Sequence, residues 1–164
     1  MPLSAFALAE QQKVTIWRER EIAGLSAEHL NQLAVVANDE WLALTLRLKD
    51  NFLVVYNSSQ SPDRVNSMIM HELSHIILGH ELTSAGLSEE GYLMPTTYDQ
   101  EQEDEANWLG GTLLLPRPAL LHVRYHAMSD SEISQRYGVS SHMLKWRFRM
   151  TGVDYQISHA KRRA

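Results

Sequence analysis

His71-Glu72-Leu73-Ser74-His75 is the segment with the plainest chemical meaning in this chain. Two histidines at i and i+4 stand one above the other on a helix, so both imidazoles can grip one zinc ion. The glutamate between them can reach a water on that ion as general base. In a chain with 8 His among 164 residues, chance supplies roughly 0.03 such matches. Zinc then needs a third protein ligand if one position is to stay open for water. The metzincin pattern would put a histidine six residues after His75 and a glycine three residues after it, but those positions hold Glu81 and Leu78. A carboxylate on a second helix is expected instead. Glu103 is the best candidate, because Ala106, Gly110 and Leu114 follow it at i+3, i+7 and i+11 and, with Leu113, define that helix's inward face. Glu105 falls on roughly the opposite side. Asn107, one turn after Glu103, is placed to hydrogen-bond a ligand from behind. The bland alternative for Glu103 is an ordinary acidic first turn, favoured by the helix dipole.

Both sets of residues need helices to position them. Ser61-Pro62 gives an N-cap followed by proline at the first helical position, and that helix can run to Gly79. At about 100° per residue, Val65, Met68, Ile69, Leu73, Ile76 and Ile77 form one apolar stripe. Glu72 falls inside the stripe and the two histidines lie along its edge. A carboxylate among core residues is costly without a partner, and such breaches of patterning tend to mark functional sites. A second helix starts at Asp99, which with Gln102 resembles a capping box, and it runs to Leu115 before Pro116 and Pro118 stop it. Upstream, residues 4–12 read as a short helix, Val14 to Trp17 as a brief apolar run, and Ser26 as the cap of a helix over roughly 27–37. Residues 41–48 and 52–56 read as a β-hairpin, and residues 82–98 as loop.

Composition narrows the chemistry further. At 44% hydrophobic and 21% charged the chain is an ordinary globular one, with a net charge of −5. The absence of cysteine excludes disulfides, Cys-ligated zinc, iron–sulfur clusters and a thiol nucleophile. No stretch approaches the length of a membrane span, and residues 1–10 lack the basic start of a signal peptide, so no membrane partner is expected and the cytoplasm is the expected location. From Arg124 onward eight basic residues face three acids, a balance of +5, which leaves −10 for the rest. Ser129 to Leu144 reads as a helix-turn-helix with Gly138 at the turn. Its second helix carries Lys145, Arg147 and Arg149 as candidate contacts to nucleic acid or a partner. Trp146 and Phe148 can equally pack the unit onto the preceding body, so DNA is the less favoured partner.

The strings HELSHIILGHE and EDEANWLGGTLLLP resemble the ImmA/IrrE family of metallo-endopeptidases, whose members show a HELgH…gH motif and then an E-x-x-A-N-x-F-A-x-x-L-L-x-P helix. VVYNSSQSPDRVNSMIM is similar to that family's strand, loop and helix entry. The likeness covers about residues 40–120 and, more weakly, extends to 152. It implies His71 and His75 as zinc ligands, Glu72 as general base and Glu103 as third ligand, with one zinc per chain in a gluzincin-like site. Leu109-Gly110 stands where the family has an aromatic residue and alanine. His80 also matches the family pattern; following the helix stop at Gly79, it reads as structural or as support behind a ligand.

The implied fold is α+β: a minimal zincin-like metallopeptidase domain over 1–120, in which a small curved sheet packs on the two metal-bearing helices. A helical helix-turn-helix-like segment over 121–164 packs on it. The implied activity is zinc-dependent cleavage of a regulatory protein, such as a repressor or transcription factor of a mobile element or stress response. The alternative is a non-cleaving, zinc-containing transcriptional regulator that binds DNA or a protein through the C-terminal segment. Tyr92, Tyr98, His122, Tyr125 and His126 can all donate to a developing oxyanion, and the sequence does not choose among them.

Overall fold

A computed structural model describes residues 2–23, 26, 28, 31, 42–48, 51–81, 85–87, 93–95 and 99–163. The fold is α+β. Helix α1 (Ala5–Gln11) leads into strand β1 (Thr15–Arg18) and a single 3-10 turn, Glu19–Glu21. Strands β2 (Ala43–Leu48) and β3 (Asn51–Tyr56) form the expected hairpin. β1 pairs parallel to β3 and β2 pairs antiparallel to it, giving the order β1-β3-β2. The middle strand is the apolar, β-branched one, and its residues Leu53, Val54, Val55 and Tyr56 are all buried. β2 is left at the edge.

Helix α2 (Pro62–Leu78) begins with Ser61 at the N-cap and ends at Gly79, whose φ of 72° is the left-handed conformation that suits glycine. Val65, Met68, Ile69 and Leu73 are buried as the stripe requires, whereas Ile77 is exposed because the helix has there run past the core. Helix α3 (Gln100–Leu114) is capped by the Asp99 carboxylate, which accepts from the Glu101 and Gln102 backbone N–H groups. A Cβ on Gly110 would sit 3.1 Å from Ser74 Oγ and 3.3 Å from Met70 O. Glycine at this position therefore lets α3 lie close against α2, which brings the first turns of α3 up to the His71–His75 face.

Three local readings need correction or extension. Within residues 82–98, read as loop, two three-residue strands, β4 (Ala85–Leu87) and β5 (Leu93–Pro95), pair antiparallel; elements so short carry no periodicity. Pro116 and Pro118 end α3 but also open a new helix, α4 (Arg117–Tyr125), with Pro116 as its N-cap, since proline's fixed φ suits a first turn. After α5 (Asp130–Tyr137), the Gly138 turn and α6 (Ser141–Thr151), a further helix α7 (Val153–Arg163) follows the left-handed Gly152. The helix expected over 27–37 lies almost wholly outside the described residues.

Helices α5, α6 and α7 share one core with the rest. Ile133, Val139, Leu144, Phe148, Val153 and Ile157 join the cluster that contains Ile69, Leu73 and Leu114. Two side chains of α2 also clip the turn between α5 and α6. Asn66 Nδ2 donates to Gly138 O at 2.7 Å while its Oδ1 accepts from Ala5 N–H at 2.9 Å, and Ser67 Oγ accepts from Ser140 N–H at 2.9 Å. On the far side Arg124 lies 3.7 Å over the Phe148 ring and bridges Asp130 and Asp154, each at 2.9 Å.

Candidate metal centre

His71 and His75 project from one face of α2, and Glu103 reaches them from the first turn of α3. Glu103 Oε2 lies 3.1 Å from His71 Nε2, Glu103 Oε1 lies 3.4 Å from His75 Nε2, and the two histidine Nε2 atoms are 3.1 Å apart. Ligands about 2.0–2.1 Å from a tetrahedral zinc are separated by about 3.3 Å. The three atoms therefore stand like one triangular face of such a tetrahedron, and two imidazoles with a carboxylate are donors that zinc accepts. These residues fit the metal.

Burial and the neighbouring charges act differently on the two imidazoles. Burial and then the neighbouring His71 charge push His75 down to about 4, against the pull of Glu103, so His75 is neutral as a ligand must be. Burial also works against protonation of His71. The hydrogen bond that His71 donates to Glu103, the charges of Glu72 and Glu103, and the Asn107 side chain overcome it and hold His71 above its ordinary value. Glu103 is held below the usual carboxylate range, first by its hydrogen bond to His71. His71 Nε2 thus faces the Glu103 carboxylate, and the Asn107 side chain also bonds His71; a metal on Nε2 would take the place of a proton there.

Glu72, one residue after His71, lies against the sheet rather than in the triangle. Thr45 Oγ1, from the edge strand β2, donates to Glu72 Oε2 at 2.5 Å. Burial raises the Glu72 carboxyl, partly offset by the His71 charge and by this hydrogen bond. Thr45 escaped the sequence reading. Its signal was a polar residue among the leucines of β2, at a position the structure buries to 6% exposure.

Behind His75 sits His80, with the two Nδ1 atoms 2.9 Å apart. His80 Nε2 is 3.0 Å from Glu105 Oε2. Glu105, expected on the far side of α3 from Glu103, therefore turns toward the end of α2. The helical wheel missed this because the Gly79 turn carries His80 back along α2 to the flank of α3.

Of the remaining candidates, Lys145 and Arg149 are exposed on α6, whereas Arg147 is turned inward at 2% exposure. Its Nε donates to Leu115 O at 3.2 Å, its guanidinium lies 5.6 Å from the Trp108 ring centre, and Nη1 has no hydrogen-bond partner. Arg147 packs α6 onto the C-terminus of α3 and is not on the outward face with its two neighbours. His122 and His126 stack on each other on α4 with ring centres 4.2 Å apart, and Tyr125 is exposed beside them. Tyr92 and Tyr98 lie outside the described residues.

Among the described residues no helix is long and apolar enough to cross a membrane. Searches of curated proteins and of solved structures return no match. Residues 33–149, a span that includes β2, β3 and every residue of the metal cluster, match the IrrE N-terminal-like domain of the Peptidase M78 family. With well over half its length in that match, the chain belongs to this family of metallopeptidases.

Proposed function

We propose that this protein is a zinc-dependent endopeptidase, gluzincin-like in its ligand set, which cleaves a regulatory protein in the cytoplasm. The observation that carries the reading is the Glu72 carboxylate, held by Thr45 next to a three-donor cluster of His71, His75 and Glu103. Zinc on these three residues would supply Lewis acidity, polarising a scissile carbonyl and acidifying water at neutral pH. Glu72 takes the proton of the attacking water and returns it to the leaving amine. Thr45 aims the Glu72 carboxylate by fixing one oxygen, which leaves the other for the water. Asn107 steadies His71 from behind. The choice of a repressor or transcription factor as substrate rests on the likeness to ImmA/IrrE proteins.

The competing reading is a non-cleaving regulator with structural zinc. A structural site normally closes its fourth position with a protein ligand and has no use for a base beside it. The helix-turn-helix-like unit has its turn clipped to α2 by Asn66 and Ser67 and its Arg147 buried, features that favour a packing role over DNA reading.

The test compares the unaltered protein with Glu72→Gln in host cells, by mass-spectrometric mapping of new protein N-termini and by zinc content. The expected result is about one zinc in both proteins, with one or a few new termini made only by the unaltered one. Identical termini in both, at equal zinc content, would overturn the peptidase reading in favour of the regulator.

A further inference from the structure

We propose that His80 and Glu105 form a positioning relay behind His75, one that fixes the imidazole tautomer His75 presents to the metal. The inference rests on the metal-site reading above and deepens it. A carboxylate only accepts, so the proton between His80 Nε2 and Glu105 Oε2, 3.0 Å apart, sits on His80 Nε2. A metal on His75 Nε2 would use that nitrogen's lone pair, so the ring's one proton is then on Nδ1, facing His80 Nδ1. At 2.9 Å, His80 Nδ1 accepts that proton, which leaves His80 Nε2 to carry its own proton toward Glu105. His75 Nε2 is the nitrogen that stands beside Glu103 Oε1 and His71 Nε2, the other two donors of the cluster. With a metal on His75 Nε2 and the Glu105 carboxylate at the other end, each link between them admits one arrangement.

The fold builds the relay deliberately close. The left-handed Gly79 reverses the chain after α2, and His80 N–H donates to His75 O at 3.0 Å, which stacks the His80 ring edge-on against His75 with centres 5.0 Å apart. The His80 side chain is only 6% exposed, so water is a poor substitute partner for it, while Glu105 is 58% exposed and can be changed without opening the core. Glu103 and Glu105 come from the same turns of α3. One helix thus supplies both a direct donor to the cluster and the anchor of the chain that orients His75.

The experiment measures zinc affinity by competition with a chromophoric chelator for the unaltered protein, His80→Ala, Glu105→Ala, Glu105→Gln and Asp104→Ala. Loss of a partner behind a metal-ligating histidine costs about 10–100-fold in affinity. That loss is expected for His80→Ala and Glu105→Ala. A variant carrying both His80→Ala and Glu105→Ala should be no weaker than His80→Ala alone, because the links act in series. Glu105→Gln, whose amide oxygen still accepts, should recover most of the affinity, and Asp104→Ala should match the unaltered protein. NMR of the ring nitrogens in the zinc-loaded protein should find the His75 proton on Nδ1, and exchange at that position should quicken in Glu105→Ala. Zinc bound by Glu105→Ala as tightly as by the unaltered protein overturns the relay and leaves the metal site standing. An unaltered protein that binds no zinc overturns both.

Discussion

Asn66 is the residue whose removal tests most directly how the metal-bearing helix is held. Its Oδ1 accepts from the N–H of Ala5, a first-turn donor of α1 in a fully buried residue, and its Nδ2 donates to Gly138 O. Asn66→Ala leaves both backbone groups without this partner. A neutral hydrogen bond contributes about 0.5–1.5 kcal/mol net, and a buried group left unsatisfied costs about 1–3 kcal/mol. Asn66 is itself half-buried, so the Gly138 carbonyl regains some water, and the sum expected is about 2–3 kcal/mol. For a chain of this size each kcal/mol lowers Tm by about 2–4 °C, so the melt followed by far-UV circular dichroism should fall by about 4–12 °C. Asn66→Asp separates the two bonds, because it keeps an acceptor for Ala5 N–H but sets an oxygen against Gly138 O. Ser67→Ala, which frees Ser140 N–H from the same turn, should be less than additive with Asn66→Ala, since the two residues clip one segment. A Tm change under about 1 °C for Asn66→Ala would refute the argument that α2 is bolted at once to α1 and to the α5–α6 turn.

Thr45→Val removes the donor that steadies Glu72 and should cost about 1.5–3 kcal/mol of stability, the value of a hydrogen bond to a charged group; Thr45→Ser should restore most of it in the same denaturant titration, and equal stability of all three proteins would sink the assignment. Gly111→Ala would bring a Cβ within 2.5 Å of Arg147 Cδ and 3.0 Å of Met143 Sδ, an overpacking worth about 1–3 kcal/mol that exceeds the helix-propensity gain of up to about 1 kcal/mol. A lower urea midpoint is expected for it, and an unchanged or higher one would mean that α6 yields easily. Glu19 is fully buried, and burial alone would raise its carboxyl; donors from Ser58 N–H at 2.8 Å and Ser58 Oγ at 2.7 Å, with Arg20, instead hold it below the usual range. Its contribution is therefore complete above the unfolded value of about 4.3 and is lost as pH falls from there through the lower folded value. Glu19→Gln should be less stable at neutral pH, with the gap closing in acid, and a gap constant across that range in urea midpoints would contradict the linkage.

The metal cluster was legible because its chemistry is local. Helical spacing alone puts His71 and His75 on one face, and the i+3, i+7 and i+11 pattern alone turns Glu103 inward. The caps at Ser61 and Gly79 were legible for the same reason, since proline and glycine act on their own φ angles. The alternation of β2 and the β-branched, aromatic run of β3 made the hairpin legible too. The short strands of β4 and β5 were not, because three residues have no period to read.

Other features depended on chain segments far apart in sequence. Thr45 meets Glu72 across 27 residues because β2 is the edge strand beside α2, a consequence of sheet order. Glu105 meets His80 because α3 lies close against α2, and Gly110 sets that approach. A wheel drawn for one helix gives a direction but not what stands in it, so Glu105 looked outward and Arg147 looked available. Arg147 turned inward because the carbonyl of Leu115 and the ring of Trp108 lie on the side of α6 that faces α3. Sequence by itself determined the donor set and its spacing, through dihedral preference and periodicity. Only the tertiary structure decided which side chains stand behind those donors, because such contacts are set by packing distances between helices, and packing is a property of the whole chain.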